Sequence, residues 1–336
     1  MKIAIFVTTA KYPPEIFDSV SGHVQIALFT ANILKKNGHQ VTLITNEAPA
    51  RYQIPPILSK EIPVKTIGIL SKKYPHQGAP FLDTLLLIKQ LRKLIKSSNF
   101  DVIHFLGANR IIYLLGLLKM TNIPNRVLIT LHGFNTPKSI LNKLITKKFL
   151  KKIDFLITLT NYTKKKLLQL IGDSEENKIV VTPPGISKQL IVNENKLSPS
   201  NLGQYVLFWH DAHYDDGADI CAESFEQLSK EYPGVNFVFA VRRGNEYEKI
   251  LKISQTYENI KLLDYPYRDN IVINDLLTSA AIVVLPFRKL SINPQLAILE
   301  TLASGAPLIT TPIQSNKEII EHSKTGLLVP PTVNEV

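Results

Sequence analysis

Short apolar runs of strand length alternate with longer segments whose apolar positions recur every three or four residues, and the alternation persists along nearly the whole chain. In the first half, residues 2–7, 40–45, 64–69, 102–105, 126–131 and 155–159 are largely apolar, as strands covered on both faces must be. Helix-length amphipathic stretches lie between them. One starts near Gly22 and stops at Asn37-Gly38-His39, where glycine suits the left-handed residue that ends a helix. Strand, helix and strand in this order predict a parallel sheet with crossover helices.

After Ile179-Val180-Val181 and Thr182-Pro183-Pro184-Gly185, periodicity is lost over residues 193–204, which read as a linker rich in Asn, Ser, Pro and Gly. A second alternation begins at Tyr205-Val206-Leu207-Phe208. It passes through a helix at 222–231 and returns to strands at 235–241, 260–263, 281–286 and 307–310. The expected architecture is therefore α/β, with two Rossmann-like doubly wound domains, residues 1–192 and 205–336, facing a cleft. Ligands of such sheets bind at the carboxyl ends of the strands. At 336 residues, 45% hydrophobic, the chain has enough apolar material for two cores. The pattern stops at Val336, soon after Thr325-Gly326-Leu327-Leu328-Val329-Pro330-Pro331, with no closing helix, which fits a chain that continues beyond it.

Composition narrows the class. No stretch approaches the roughly 18 apolar residues of a membrane-spanning helix, and the opening run Met1 to Val7 is too short for a signal peptide. The single cysteine, Cys221, cannot form an internal disulfide, so a cytoplasmic setting is expected. The net charge of +11 is unevenly spread: residues 1–190 carry 27 Lys and Arg against 10 Asp and Glu, whereas residues 191–336 carry 12 against 18. A basic half suits an anionic polymer, membrane surface or substrate. Nucleic acid is not an expected partner, because no recognition helix, stacking array or finger motif accompanies the charge.

The most specific segment is Leu296-Ala297-Ile298-Leu299-Glu300-Thr301-Leu302-Ala303-Ser304-Gly305-Ala306-Pro307-Leu308-Ile309, followed by Lys317-Glu318-Ile319-Ile320 and Thr325-Gly326-Leu327-Leu328-Val329. It resembles glycosyltransferase family 4, whose members have the GT-B fold. Further stretches agree in order: Pro13-Pro14 with Ser21-Gly22-His23, Asp101-Val102-Ile103-His104, Leu131-His132-Gly133 and Thr182-Pro183-Pro184-Gly185-Ile186. The resemblance implies transfer of a sugar from a nucleotide-sugar donor to a glycan or lipid-linked acceptor, with retention of anomeric configuration and no cofactor. It makes Glu300 the group that accepts hydrogen bonds from the ribose hydroxyls, and a carboxylate can accept two such bonds at once. It puts His132 beside the transferring sugar, where a histidine can donate to a hydroxyl or phosphate oxygen at neutral pH. Gly22, lacking a β-carbon, would let the backbone approach a ligand.

The chain departs from the family where the donor phosphates should lie. After the first strand of the second domain the family carries an arginine and a lysine; aligned on Gly217 and Asp219, these positions hold Asp211 and Asp216 here. Two anions in place of two cations would withdraw several kcal/mol of leaving-group stabilisation unless another group supplies it. Arg242 or Arg243, after the next strand, is the expected replacement, with His210 and His213 offering smaller help. A cation held by Asp211, Asp215 and Asp216 matches no established metal spacing, so no metal is expected. Ile292 stands where a sugar-contacting glutamate is common, and Asn293 is the nearest polar substitute.

Residues 139–152 alternate apolar residues with Lys143, Lys147, Lys148, Lys151 and Lys152 at near-helical spacing. Such a helix can lay Phe149 and its leucines into an interface while its lysines meet anionic lipid at the inner face of a membrane. An ordinary crossover helix would account for the apolar positions equally well. Two other functions remain open from the sequence: a catalytically inactive GT-B partner subunit, suggested by Asp211, Asp216 and Ile292, and a sugar-nucleotide epimerase.

Overall fold

Continuous apolar runs form two wholly parallel sheets. The structure, a computed structural model, describes residues 1–14, 20, 22–68, 81–107, 109–119, 123, 125–186, 202–265, 273–290 and 292–336. Two compact units divide at Pro184 and Gly185. The first contains β1 (Lys2–Phe6), α1 (Gly22–Lys36), β2 (Gln40–Asn46), β3 (Val64–Ile67), α2 (Phe81–Ser98), β4 (Val102–Gly107), α3 (Asn109–Lys119), β5 (Arg126–Leu131), α4 (Ile140–Lys152), β6 (Phe155–Thr158), α5 (Asn161–Ile171) and β7 (Ile179–Val181). Its strands pair in the order β3-β2-β1-β4-β5-β6-β7. Ala4, Phe6, Ile103, Phe105, Val127, Ile129, Leu131 and Leu156 face helices and are buried in one core. The expected strands are all present, with limits shifted by one or two residues. Gly38, at φ +82°, is the left-handed residue just past α1.

The second unit contains β8 (Tyr205–Asp211), α6 (Ala218–Glu231), β9 (Asn236–Arg242), α7 (Tyr247–Thr256), β10 (Ile260–Asp264), α8 (Ile273–Ser279), β11 (Ile282–Leu285), α9 (Leu296–Ser304), β12 (Leu308–Thr310), α10 (Asn316–Ile319) and β13 (Leu327–Leu328). The order β10-β9-β8-β11-β12-β13 repeats the winding of the first sheet. A Phe208, Phe225, Phe237 and Phe239 cluster packs α6 against one face, and a second core around Leu207, Val283, Leu285 and Ile298 covers the other. Of the expected linker, residues 193–201 lie outside the described residues. Leu202 is already buried in the second unit, and Gln204 O accepts from Asn236 N at 2.9 Å, the first rung beside β8. No helix among the described residues is long and apolar enough to cross a membrane.

The helix predicted at 139–152 forms as α4, with Ser139 as its N-cap accepting from Asn142 N. For Phe149, the core contact is that of an ordinary crossover helix, the second of the two readings open from the sequence. Phe149 and Leu150 are buried within the first unit, so Phe149 is not available to an external interface. Gly116 of α3 makes this possible: a β-carbon there would stand 2.0 Å from the Phe149 ring. The Tyr113 ring meets Phe149 edge-on, and its hydroxyl lies 2.9 Å from Thr146 Oγ1.

Candidate functional site

In doubly wound sheets the ligand crevice opens at the carboxyl ends of the strands, where the strand order reverses. That point lies between β1 and β4 in the first unit and between β8 and β11 in the second.

In the first unit His132 directly follows β5, and its backbone N donates to Gly107 O at the end of β4 (3.1 Å). The side chain is 2% exposed, and neither ring nitrogen has a hydrogen-bond partner among the described residues. His23, in the first turn of α1, meets it edge-on with ring centroids 6.0 Å apart. Burial, with smaller repulsion from His23 and His104, lowers the His132 pKa to about 3, so the ring is neutral at physiological pH. His104 is also buried, with a pKa lowered to about 4, but its Nε2 lies 2.7 Å from Thr130 Oγ1. Two unpartnered nitrogens on one buried ring cost free energy that a structural histidine would avoid by finding partners. Gly22 opens α1, whose first turn carries no acidic residue. Ser21 and residues 15–19 of the preceding loop lie outside the described residues.

In the second unit His210 and Asp211 end β8. Asp211 is the register partner of Arg242 at the end of β9, and Arg242 Nε donates to Asp211 Oδ1 at 2.5 Å. Asp216 lies in the turn between β8 and α6, its Oδ2 3.2 Å from His210 Nδ1, at an angle short of a hydrogen bond. On the other edge of the ring, Gln295 Nε2 approaches His210 Nε2 at 2.6 Å. Phe287, after β11, packs edge-on against the same imidazole at 5.2 Å. Gly217 holds the turn against β11: at φ +79°, a β-carbon there would stand 2.2 Å from Pro286 O. Only glycine combines this left-handed conformation with so close an approach.

Glu300 projects from α9, the helix that follows β11, and burial raises its pKa to about 7 while the nearby His210 acts in the opposite direction. His210, Asp211, Asp216 and Arg242 are thus gathered at one edge, with Glu300 close enough to feel His210. Arg243 is turned away from Asp211: 70% exposed, it bonds Asp264 through Nε and Nη2 and stacks on Tyr247 at 4.6 Å. Asn293 is buried, and its Oδ1 accepts from Ser315 Oγ at 3.0 Å. His213 Nδ1 lies 2.9 Å from Asn245 Oδ1.

Arg288 is a residue that the sequence reading passed over. Its guanidinium makes a two-point contact with Asp219 (2.5 and 2.8 Å), donates to Tyr214 O and lies 3.8 Å over the Tyr214 ring. It therefore clamps the β8–α6 turn to the segment after β11. The Arg288-Lys289 pair directly after an apolar strand run was its only signal.

The donor atoms of His210, Asp211 and Asp216 lie within 4.8 Å of one another and form the one group among the described residues that could hold a metal ion. Asp215, included in the sequence-based trio, instead lies 3.6 Å from Lys289. A cation at Asp211 would have to share its carboxylate with the Arg242 guanidinium, a poor donor set for a hard divalent ion.

These two sheets, wound alike with ionisable groups at their carboxyl edges, define a two-domain α/β protein of the GT-B type. The model of Glycosyltransferase Family 4 matches residues 20–190, and that of Glycosyl transferases group 1 matches residues 203–336, so the chain belongs to glycosyltransferase family 4. The presumed glycosyltransferase YtcC of Bacillus subtilis (strain 168) is 22% identical in an alignment covering 70% of this chain and 61% of YtcC, so the chain spans under two thirds of that relative. A glycosyltransferase from Rickettsia africae superposes with a TM-score of 0.68 at 18% identity, covering 98% of this chain and 84% of that one. HepE of Anabaena, in complex with UDP and glucose, superposes with a TM-score of 0.69 at 16% identity, covering 100% and 87%.

Proposed function

We propose that the protein transfers a glycosyl group from a nucleoside diphosphate sugar to a glycan or lipid-linked acceptor, with retention at the anomeric carbon. The observation that carries this reading is Glu300: a carboxyl held near neutrality by burial, beside the crevice of the second sheet, in a chain of family 4. Its carboxylate form accepts hydrogen bonds from the two ribose hydroxyls. The comparison with HepE, which was solved with UDP and glucose, supports a donor of this chemical class.

The altered phosphate site reads as a cation moved by one strand. The family's arginine at the end of β8 is replaced by Asp211, and the cation stands instead at Arg242, the register partner on β9. Asp211 orients Arg242 through Nε, and the guanidinium is the group proposed to meet the diphosphate. Asp216 faces the His210 ring, with Oδ2 3.2 Å from Nδ1. Arg243, held by Asp264 and Tyr247, is assigned no phosphate role.

In the proposed reaction the acceptor oxygen bonds to the anomeric carbon on the face from which the phosphate departs. The bond from that carbon to the phosphate oxygen breaks, and the acceptor proton passes to the departing phosphate. Neutral His132 donates a hydrogen bond to the sugar or phosphate, and the protein contributes orientation, exclusion of water and charge stabilisation. Calorimetric titration with UDP- and GDP-sugars tests the reading. Saturable binding lost in Glu300→Ala supports it. No binding by folded protein would favour an inactive GT-B subunit, and sugar conversion without any acceptor would favour an epimerase.

A further inference from the structure

Helix α4 has two faces with different partners. Thr146, Phe149 and Leu150 are buried against the first unit, and Ile145 packs beside them. With about 3.6 residues per turn, Ile140, Leu141 and Leu144 fall on the opposite side. They are 78%, 67% and 60% exposed, and Ile140 and Leu141 are the two most exposed large hydrophobics among the described residues. Scattered single apolar side chains on a surface are ordinary, whereas three within the first turns of one helix form a patch.

Lysines surround this patch. Lys138 precedes the helix, Lys143 lies within the patch, and Lys147, Lys148, Lys151 and Lys152 follow it; all but the half-buried Lys147 are exposed. Lys151 pairs with Glu175 at 3.4 Å, whereas Lys138, Lys143, Lys147, Lys148 and Lys152 form no ion pair among the described residues. The helix thus presents an apolar tip with unneutralised cations around and behind it, in the half of the chain that carries the excess positive charge.

We propose that the first turns of α4 dock the protein on an anionic lipid surface, with Ile140, Leu141 and Leu144 entering the acyl boundary and the lysines meeting the headgroup phosphates. The charge selects this occupant. A second copy would bring the same lysines against themselves in a two-fold contact, which repels. Single-stranded nucleic acid would call for aromatic stacking platforms beside the lysines, and the patch is aliphatic. An apolar wedge flanked by lysines is what a bilayer interface containing acidic lipid complements. The proposal is independent of sugar transfer, since it concerns the first unit's outer helix and its test uses no donor.

The experiment is sedimentation of the purified full chain with phosphatidylcholine vesicles, with and without phosphatidylglycerol. Binding is expected only when the anionic lipid is present, falling with added salt. Replacing Ile140, Leu141 and Leu144 together by serine should abolish it. Neutralising Lys147, Lys148 and Lys152 to glutamine should weaken it by about fivefold per lysine. Because these side chains are exposed, save the half-buried Lys147, and none of them forms an ion pair among the described residues, both variants should keep the wild-type melting temperature and nucleotide titration, which separates loss of docking from loss of fold. Three results would overturn the proposal: no binding by the folded wild type, binding unchanged in the serine variant, or a wild-type dimer in sedimentation velocity that the serine variant converts to monomer.

Discussion

His132 at the carboxyl edge of the first sheet and Glu300 beside that of the second are both driven toward their neutral forms by burial, yet they differ at neutral pH. His132, with a pKa near 3, is neutral with several units to spare and has no hydrogen-bond partner among the described residues. Glu300, with a pKa near 7, sits at its midpoint and is opposed by His210. A buried group with no countercharge is fixed in one state, and a partly buried one near a titratable neighbour remains responsive to pH. The first edge is therefore built to donate or accept hydrogen bonds without carrying charge. The second is built around the Asp211–Arg242 ion pair, with Asp216 3.2 Å from the His210 ring.

The sharpest way to break this contrast is to remove the first group. His132→Leu should lower turnover by about 100- to 10,000-fold, while stabilising the first unit by about 1 kcal/mol because two buried unpartnered nitrogens disappear. Activity assays and thermal unfolding check both halves. A large loss of stability would mean that His132 is a structural residue.

Next in size is the paired cation. Arg242→Gln should reduce kcat by about 100- to 1,000-fold as leaving-group stabilisation is lost. Asp211→Asn should cost about tenfold, because the guanidinium stays but is less firmly oriented, and Arg243→Gln should be nearly neutral. Steady-state kinetics on the three variants decide the ranking. Equal losses at Arg242 and Arg243 would refute the assignment of the phosphate role to Arg242 alone.

A smaller effect follows from the sign of the Glu300 shift. Its folded pKa of about 7 lies above the ordinary 4.5, so the folded state holds an extra proton between these values, and stability falls as pH rises from about 4.5 to about 7. Above that window the ionised carboxylate costs on the order of 2 kcal/mol, less than the full shift implies because the side chain is partly exposed. Glu300→Gln should recover this amount at about pH 8 and almost none at about pH 4; denaturant unfolding at the two pH values is the check. Smallest of all should be the effect of chelation. With Asp211 already engaged by Arg242, EDTA should leave nucleotide binding and turnover unchanged, and restoration of lost activity by a divalent ion would instead point to His210, Asp211 and Asp216 as ligands.

The sheets were legible because strands buried on both faces must be apolar throughout, which marks runs such as 126–131 and 235–241 without any tertiary information. The ordered landmarks around Glu300 and His132 identified the family for the same local reason. The pairings were not legible. Asp211 and Arg242 are 31 residues apart and meet only because β8 and β9 align in that register. Arg288 reaches Asp219 across 69 residues. Phe149 stayed open between an external interface and the core because helical spacing alone does not say which apolar stripe faces inward. The space that Gly116 leaves for the Phe149 ring settles this, while Ile140, Leu141 and Leu144 remain outside.

The central claim, that the second sheet's edge binds a nucleoside diphosphate through Glu300, is open to one direct measurement. Trp209, the chain's single tryptophan, adjoins His210 on β8 and donates through Nε1 to Thr301, next to Glu300, at 3.2 Å. Its fluorescence titrated with UDP and GDP at several pH values should report saturable binding by at least one nucleotide. Affinity should weaken by up to about tenfold per pH unit below about 7 as Glu300 takes up its proton, and this pH dependence should vanish in Glu300→Gln. Nucleotide binding with the same affinity and the same pH profile in both proteins, or no binding by either, would contradict the claim.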